Sequence, residues 1–452
     1  MNNTKKYKIA FFTLGCKVNS YETEGMKRLF LEAGYDIVEF SDVADIYVVN
    51  TCSVTNMADR KSRQILHRAK KTNPDGIVVA VGCYVQAAAD ELQKDDAIDL
   101  AIGNNLKSTI VECVETFLSE RNHTSKNLED VSAAPEFDPL RIEDAGERTR
   151  AFIKIQDGCN QFCSYCIIPF TRGRIRSRDA EDIISEVQEL AKKGYKEIVL
   201  TGIHLSSYGA DIAGKNFVSL KGEPLLEIIE KLHCIEGIER IRLGSLEPRI
   251  ITEEFAEKLA SFKKICPHFH LSLQSGCDST LKRMNRHYST AEYKKGCQIL
   301  RKYFENPALS TDVIVGFPGE TSEEFSITQA FLEEIAFSKM HIFKFSPRKG
   351  TKAATMDEQV SEQIKTQRSN QLLELDERLQ KEYAHSFDDI IEKVLFEEII
   401  ESEGRQYMVG HNERYIKIAV PYTEDMVQKL NQILEVQVVG ELQDHLLLAR
   451  IV

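Results

Sequence analysis

The chain has 452 residues, 42% of them hydrophobic, with a formal net charge of −12, eleven cysteines and no tryptophan. At roughly 100 to 200 residues per domain, this length predicts about three domains. The mean hydropathy of −0.30 and the lack of any apolar run near the roughly 18 residues of a membrane-spanning helix argue against an integral membrane protein.

Charge and cysteine use narrow the function further. The net charge of −12 argues against a protein that holds nucleic acid mainly by bulk positive charge, because phosphate binding needs a local excess of Lys and Arg. Eleven cysteines in so long a chain disfavour a secreted disulfide scaffold and indicate a reducing compartment. A short apolar stretch before Cys16 imitates a lipoprotein signal, but Lys17 follows it directly. We expect a cytoplasmic protein.

Residues 1–118 alternate short β-branched and aromatic runs with segments of helical period, which predicts a parallel α/β sheet of the flavodoxin-like kind. Helix candidates are Ser20–Ala33, with Ser20 in a capped start, and Met57–Lys71, which is rich in Arg and Lys. The predicted strands are Lys8–Leu14, Asp36–Phe40, Ile46–Asn50, Ile77–Val81 and Ile98–Ile102.

Residues 119–144 lose this period and gather Ser, Asn, Glu, Pro135 and Pro139, which predicts a linker or a surface strap. Residues 145–375 begin a second α/β series, predicted to be a partial (β/α)6 barrel of the TIM type that ends in a helical stretch, Ser361–Ser386. Its predicted strands are Ala151–Gln156, Glu197–Thr201, Arg240–Leu243, His268–Leu273, Asp312–Val315 and His341–Phe345.

The last segment, residues 376–452, changes to short strands and predicts a small all-β barrel. It contains 16 acidic and 8 basic residues, which lowers the expectation from charge alone that it binds nucleic acid. The predicted strands are Lys393–Ile400, Gln406–Gly410, Tyr415–Ala419, Leu434–Gly440 and His445–Val452.

Three cysteines, Cys159, Cys163 and Cys166, share the loop after the first strand of the second series. Three thiolates can hold three irons of a [4Fe–4S] cube and leave the fourth iron open. An open iron can chelate the amino and carboxylate groups of S-adenosylmethionine and pass an electron to its sulfonium. The alternatives are a structural zinc site that lacks one ligand, or three buried thiols.

This Cys-x-x-x-Cys-x-x-Cys motif resembles the signature of the radical S-adenosylmethionine enzymes, whose core is a partial (β/α)6 barrel. The resemblance implies that Tyr165 lies against the adenine of S-adenosylmethionine. It also implies further cofactor contacts from later strand ends, at Gly202, Ser245, Glu247 and Gly316. For each of these later residues, an ordinary turn at a strand end is the alternative.

The first domain supplies a second set of cysteines. Cys16, Cys52 and Cys83 each follow a predicted strand, so their thiols should emerge at the carboxyl edge of one parallel sheet. A lone cysteine at a strand end is more often a small buried hydrophobe, but three in equivalent places argue against coincidence. Three ligands again imply a cluster with an open iron rather than a closed zinc site. The remaining cysteines show no ligand spacing and are expected to be packing or surface thiols: Cys113, Cys234, Cys266, Cys277 and Cys297.

Nearly the whole chain resembles the methylthiotransferases, which combine an N-terminal cluster domain, a radical barrel and a C-terminal RNA-binding β-barrel called TRAM. The matching runs are Leu14–Glu22, Asn50–Thr55, Gly82–Tyr84 and Asp157–Arg174. Within this family, Cys16-Lys17-Val18-Asn19 is similar to the branch that acts on N6-threonylcarbamoyladenosine at position 37 of tRNA. Branches that modify isopentenyladenosine in tRNA or a ribosomal-protein aspartate remain alternatives.

The resemblance implies a reaction with two [4Fe–4S] clusters and two molecules of S-adenosylmethionine. One molecule would methylate a sulfur carried on the cluster of Cys16, Cys52 and Cys83. The second would give a 5′-deoxyadenosyl radical that removes hydrogen from C2 of the adenine ring, after which the methylthio group is transferred there. The reaction needs an electron donor and a sulfur donor. A non-catalytic alternative is an iron–sulfur RNA-binding sensor.

Two local basic surfaces are predicted to guide the anticodon stem-loop of tRNA. One follows the loop of Cys159, Cys163 and Cys166 and contains four arginines: Arg172, Arg174, Arg176 and Arg178. The other is the helix that carries Arg60, Lys61, Arg63, Arg68, Lys70 and Lys71, for which a solvated helix face is the alternative. In the C-terminal barrel, Gly410–Lys417 with Arg414 is the best RNA-facing candidate. His204 and Asp157 lie near strand ends, where either could act near the cofactor or form structural hydrogen bonds.

Overall fold

A computed structural model describes residues 7–120, 125–127, 131, 136–143, 149–211, 221–443 and 445–452. The chain forms a parallel α/β sheet, then a partial barrel of parallel strands, then a closed barrel of five strands. Part of the predicted linker, including Pro135, lies outside the described residues. Within the described ranges, no helix combines the length and the apolar character needed to cross a membrane.

The first sheet has the strand order β2-β1-β3-β4-β5-β6, and all of its pairs are parallel. Its last strand lies inside the predicted linker, where it pairs with the otherwise free edge of the fifth. The strands are β1 (Lys8–Thr13), β2 (Asp36–Val38), β3 (Ile46–Thr51), β4 (Ile77–Gly82), β5 (Leu100–Ile102) and β6 (Ser125–Asn127).

Helices connect these strands, and the first begins earlier than predicted. It starts at Lys17, with Cys16 as the extended residue before it. The Ser20 amide donates to the Cys16 carbonyl at 3.1 Å, so Ser20 lies inside the first turn and does not cap it. The helices of this domain are α1 (Lys17–Glu32), α2 (Asn56–Thr72), α3 (Cys83–Ala87), α4 (Ala89–Leu92) and α5 (Ile110–Ser119).

The second unit is a partial barrel of six parallel strands in chain order. Two three-stranded sheets, β7-β10-β11 and β12-β13-β14, are joined by the isolated bridge between Leu246 and Leu271. A short hairpin of two further strands, β8 and β9, flanks the cysteine loop. The strands are β7 (Arg150–Lys154), β8 (Gln156–Asp157), β9 (Arg176–Ser177), β10 (Glu197–Thr201), β11 (Arg240–Leu243), β12 (His268–His270), β13 (Ala308–Val315) and β14 (Lys339–Lys344).

The outer helices of the barrel bury their apolar faces against the strands. Capping boxes at Ser289 and Thr321 begin two of them. The helices are α6 (Ile168–Thr171), α7 (Ala180–Lys192), α8 (Glu223–His233), α9 (Glu253–Ala260), α10 (Asp278–Arg283), α11 (Thr290–Tyr303) and α12 (Ser322–Ile335).

A long helix, α13 (Glu362–His385), runs through the predicted boundary between residues 375 and 376 and leads to the last unit. That unit is a closed barrel with the strand order β15-β16-β17-β19-β18, as the short-strand pattern predicts. Its strands are β15 (Ile391–Ser402), β16 (Arg405–Asn412), β17 (Lys417–Pro421), β18 (Ile433–Gln443) and β19 (Leu446–Ile451).

The first two units share one apolar core, which fixes their arrangement relative to each other. Tyr21 of α1 is buried at their junction, where its hydroxyl donates to the Leu140 carbonyl at 2.7 Å and lies 3.0 Å from Glu186 of α7. This shared core positions the cysteines of both units relative to one another.

Candidate active site

The loop of Cys159, Cys163 and Cys166 lies at the carboxyl end of β7, between β8 and α6. Gly158 allows the loop to fold back, because its φ is +69° and a Cβ there would collide with the Arg174 carbonyl. The Cys159 amide then donates to the Gly173 carbonyl at 3.1 Å. The three cysteines therefore face the interior of the barrel top, where barrel enzymes place their active sites.

The thiols of this loop are shielded from water. Arg286 donates to the Cys163 sulfur at 3.2 Å, and the Gln161 amide donates to the Cys159 sulfur at 3.5 Å. Burial raises the pKa of the Cys159 thiol to about 12. Metal binding at this loop must therefore displace thiol protons.

The three cysteines line a cavity of about 290 Å³. Tyr165, Ser245 and Glu247 line the same cavity, so three of the five predicted cofactor contacts lie together. Gly202 lines the neighbouring cavity instead. Gly316 is not among the lining residues of either cavity; it lies beneath the Lys365 side chain, and its amide donates to Glu320.

The structure adds cavity residues that the sequence analysis missed. Arg286 lies over the Tyr288 ring at 4.9 Å and donates to the Cys163 sulfur, and Gln274 and Asp312 line the same cavity. No spacing pattern in the sequence marks these three residues. His204 also lines the cavity; burial, then Arg286, lowers its pKa to about 3, so its ring is neutral at physiological pH.

The second trio lies at the carboxyl edge of the first sheet, as the strand pattern predicts. Cys16 follows β1, Cys52 follows β3 and Cys83 begins α3 after β4. Gly82 lets β3 and β4 approach there, because its φ is +98° and a Cβ would meet the Thr51 backbone. Arg172 and Asn19 connect Cys83 with Cys16.

Arg172 donates from Nε to the Cys83 sulfur at 3.3 Å and from Nη2 to Asn19 Oδ1 at 2.7 Å. The same Asn19 oxygen lies 4.0 Å from the Cys16 sulfur. Asn104 donates to the Cys83 sulfur at 3.8 Å. Cationic and amide donors around the sulfurs suit thiolate ligands of a metal cluster.

Neither trio is compact enough for a single metal ion. In the part of the chain that the structure describes, the one group of three His, Cys, Asp or Glu residues whose ligand atoms all lie within 4.8 Å is His270, Asp312 and His341. The cysteine trios are wider than this group, which argues against the alternative of a mononuclear zinc site.

A fully buried network of charges joins the two trios. Glu22 of α1 accepts from Lys107, from Lys154 at 2.8 Å and from Arg172 at 2.9 Å. Asp157, two residues before Cys159, pairs with Lys154 at 2.6 Å and with Arg172 at 3.0 Å. Burial opposes ionisation of Glu22, but Arg172, Lys107 and Lys154 outweigh it and hold its pKa well below the ordinary value.

Two predicted RNA contacts have different partners in the structure. Arg172 is fully buried in this network, so its prediction as an RNA contact is contradicted. Arg414 donates to the carbonyls of Asn306 at 2.9 Å and Glu305 at 3.0 Å, which attaches the last barrel to the central one. The segment around Arg414, predicted to face RNA, also docks on the central barrel, because Arg150 donates to the Tyr415 hydroxyl at 2.8 Å.

Other basic residues remain on the surface. Arg174 is exposed and lies over the Phe162 ring at 4.5 Å, beside the exposed ring of Phe170. Arg176 and Arg178 of the same run are buried. On α2, exposed cations form one surface, while Lys70 pairs with Asp99 at 3.0 Å; the exposed residues are Arg60, Lys61, Arg63, Arg68 and Lys71.

Comparisons with known proteins agree with this geometry. The radical SAM superfamily matches residues 153–332, and a family described as "Uncharacterized protein family UPF0004" matches residues 8–103. Among solved structures, the radical S-adenosylmethionine methyltransferase TsrM from Kitasatospora setae, with cobalamin and a [4Fe-4S] cluster bound, has a TM-score of 0.56 at 15% identity and covers 77% of each chain. At this level of identity the likeness shows the fold alone.

Curated relatives cover most of the chain. The "Threonylcarbamoyladenosine tRNA methylthiotransferase MtaB" of Bacillus subtilis (strain 168) is 42% identical over 93% of this chain and 92% of its own. The "tRNA-2-methylthio-N(6)-dimethylallyladenosine synthase" of Methylacidiphilum infernorum (isolate V4) is 36% identical over 85% of this chain and 83% of its own. The predicted resemblance is confirmed: the chain belongs to the tRNA methylthiotransferase family of radical S-adenosylmethionine enzymes.

Proposed function

We propose that this enzyme methylthiolates C2 of N6-threonylcarbamoyladenosine at position 37 of tRNA, next to the anticodon, in the cytoplasm. The observation that carries the proposal is that one cysteine trio and one cysteine of the other trio, on two domains, open onto adjoining cavities. Cys159, Cys163 and Cys166 line one cavity and Cys16 lines the other, and Ser245 and Asp312 line both. A radical centre and a sulfur-carrying centre can then reach one substrate atom.

In this proposal each trio holds one [4Fe–4S] cluster, and two molecules of S-adenosylmethionine are used for each product. When bound, these groups supply a methyl group, a sulfur and the 5′-deoxyadenosyl radical that an aromatic C–H requires, since such a bond is out of reach of acid–base chemistry at neutral pH. An electron donor and a sulfur donor complete the reaction.

The chain's own residues orient and shield these groups. The cavity lined by Cys159, Cys163 and Cys166 is hereafter called the radical cavity. It is also lined by Tyr165, Ser245 and Glu247, which would contact S-adenosylmethionine there. One Glu247 oxygen is buried without a hydrogen-bond partner in the described structure, which suits the amino group of such a ligand. Gly202, in the adjoining cavity, remains a candidate contact, whereas Gly316 has less support because Lys365 covers it.

The outer units would bring the RNA to these cavities. The strand order of the first sheet supports a flavodoxin-like unit, and the closed five-stranded barrel supports a TRAM module. The exposed cations of α2 and the Arg174–Phe162 pair offer phosphate contacts and a stacking surface. Val54 and Thr55, just before α2, line the radical cavity, so RNA held on α2 is close to the reactive site.

The identity of the substrate rests on the relatives. The protein named for threonylcarbamoyladenosine is 42% identical, whereas the one named for dimethylallyladenosine is 36% identical. Isopentenyladenosine in tRNA therefore remains the second candidate, and a ribosomal-protein aspartate the third.

Nucleoside mass spectrometry of tRNA from cells that lack this protein tests the proposal. We expect 2-methylthio-N6-threonylcarbamoyladenosine to disappear and its unmethylthiolated precursor to accumulate. Loss of the methylthio derivative of isopentenyladenosine would move the substrate to the second candidate. Purified, reconstituted enzyme should also form 5′-deoxyadenosine when reduced with S-adenosylmethionine, and a Cys163→Ala variant should not.

A further inference from the structure

The second cavity, hereafter the chamber, is lined by residues of all three units and has a volume of about 1060 Å³. At one end lie Cys16, Gly202 and Ser245, at the carboxyl ends of the strands. At the other end lie His268, at the start of β12, and Tyr415 of the last barrel. The chamber is at the upper limit of the roughly 300–1,000 Å³ of small-molecule pockets, and it adjoins the radical cavity.

A group of arginines that does not itself line the chamber lies behind Tyr415, a residue of its inner end. Three arginines converge there on one buried carboxylate: Glu197 lies 3.0 Å from Arg242, 3.2 Å from Arg150 and 3.7 Å from Arg240. Burial opposes ionisation of Glu197, but Arg242 and then Arg150 outweigh it and lower its pKa to about 2. Glu197 is therefore ionised, and Arg150 has a second carboxylate partner in Glu397 of the last barrel.

Lys17 adds a further cation to the chamber wall. Across the residues that the structure describes, its ammonium has neither a hydrogen bond nor an ion pair, unlike the neighbouring arginines. The Lys17 side chain is exposed where it lines the chamber. At the inner end, His268 Nδ1 is also buried without a partner. An unpaired cation and an unpaired ring nitrogen in one chamber fit an anionic, hydrogen-bonding ligand.

We propose that the chamber receives the N6 substituent of the substrate nucleoside and that Lys17 binds the carboxylate of its threonyl group. This inference rests on the proposed function and deepens it. C2 and C6, which carries the N6 substituent, flank N1 on one edge of adenine, so an adenine with C2 between the two cysteine trios can extend its N6 substituent into the adjoining chamber. A threonylcarbamoyl group supplies one carboxylate and one hydroxyl, whereas an isopentenyl group supplies no partner for Lys17.

The test compares Lys17→Met and Lys17→Arg variants with a matched surface control, Lys302→Met on α11. The substrates are anticodon stem-loops that carry N6-threonylcarbamoyladenosine, its uncharged carboxamide analogue, or unmodified adenosine. Binding is measured by fluorescence anisotropy and methylthiolation by mass spectrometry, and iron and sulfide contents show whether each variant keeps its clusters. The carboxamide perturbs the same contact from the substrate side, so it needs no variant.

We expect Lys17→Met to weaken binding and kcat/KM for the threonylcarbamoyl stem-loop by about 10- to 100-fold, the range of a lost charged hydrogen bond. Lys17→Arg should keep most of the affinity, and Lys302→Met all of it. With the carboxamide, the affinity and kcat/KM of the wild-type enzyme should fall by about the same factor. The Lys17→Met substitution should cause no additional loss with that analogue.

The inference would be overturned if Lys17→Met lost as much affinity and kcat/KM with the carboxamide or the unmodified stem-loop as with the threonylcarbamoyl stem-loop. Lys17 would then contact an RNA phosphate. Undiminished activity of the wild-type enzyme on the carboxamide would overturn it as well. Failure of the proposed function has a different signature, in which wild-type enzyme methylthiolates isopentenyladenosine or a ribosomal protein and leaves the threonylcarbamoyl stem-loop unmodified.

Discussion

Replacing Glu22 with Gln removes one negative charge from the buried network that joins the two cysteine trios, with little change in side-chain size. Lys154 and Arg172 would then keep Asp157 as a carboxylate partner, whereas Lys107 would keep the Asn104 side-chain oxygen at 2.8 Å. These side chains are almost fully buried, so water cannot replace the lost charge.

Breaking a buried ion pair by removing one partner costs about 3–5 kcal/mol, because the other charge stays buried and uncompensated. At an m value of about 3 kcal/mol per molar urea, this cost lowers the midpoint of urea unfolding by about 1–2 M. Far-UV circular dichroism is the suitable probe, since the chain contains no tryptophan for fluorescence.

Glu24→Gln is the matched control, two residues further along α1. Glu24 pairs with Lys27 at 3.1 Å on the partly exposed side of the helix, and such a pair contributes at most about 1 kcal/mol. If Glu22→Gln unfolds within about 1 kcal/mol of wild type, as Glu24→Gln should, the network does not hold the two domains together and the reasoning is refuted.

Three further predictions concern the same sites. The pKa of Glu22 is lowered in the folded state, so its contribution to folding stability is complete above its unfolded-state pKa of about 4 and is lost as the pH falls through its folded-state pKa. The difference in unfolding free energy between wild type and Glu22→Gln should therefore narrow below about pH 4, and a constant difference would contradict this. Cys16→Ala should lower the iron and sulfide content of reconstituted protein, whereas Cys113→Ala on α5 should not; full content in Cys16→Ala would mean that Cys16 is not a ligand. Arg60→Ala on α2 should weaken tRNA binding and reduce the slope of log affinity against log salt by about one, whereas Lys302→Ala on α11 should change neither; an unchanged slope would remove α2 from the RNA surface.

The local sequence pattern was sufficient to predict much of the fold. Strands such as Glu197–Thr201 and Arg240–Leu243 have the predicted bounds, because the first contains a short apolar run and the second alternates charged and apolar residues. The six cluster candidates were also readable from the sequence. Cys159, Cys163 and Cys166 share one loop, and the others follow strands whose carboxyl ends must meet at one edge of a parallel sheet.

Local pattern was misleading where a residue's neighbour is remote in sequence. Ser20 is a residue type that is common at helix N-caps, but the helix begins earlier, at Lys17. Arg172 follows the loop of three cysteines in a run of arginines that reads as an RNA-binding surface, whereas its partner Glu22 lies 150 residues away. The segment around Arg414 combines cations with an aromatic residue, yet Tyr415 meets Arg150 across 265 residues.

The sequence by itself determined the class of chemistry, because ligand spacing on one loop and the period of strands and helices are short-range properties of the chain. Only the tertiary structure decided which charges face solvent and which are buried, because the cost of removing a charge from water depends on partners supplied by other domains. It therefore places Arg172 between the two cysteine trios, leaves the cations of α2 exposed and leaves Lys17 unpaired in the chamber among the described residues.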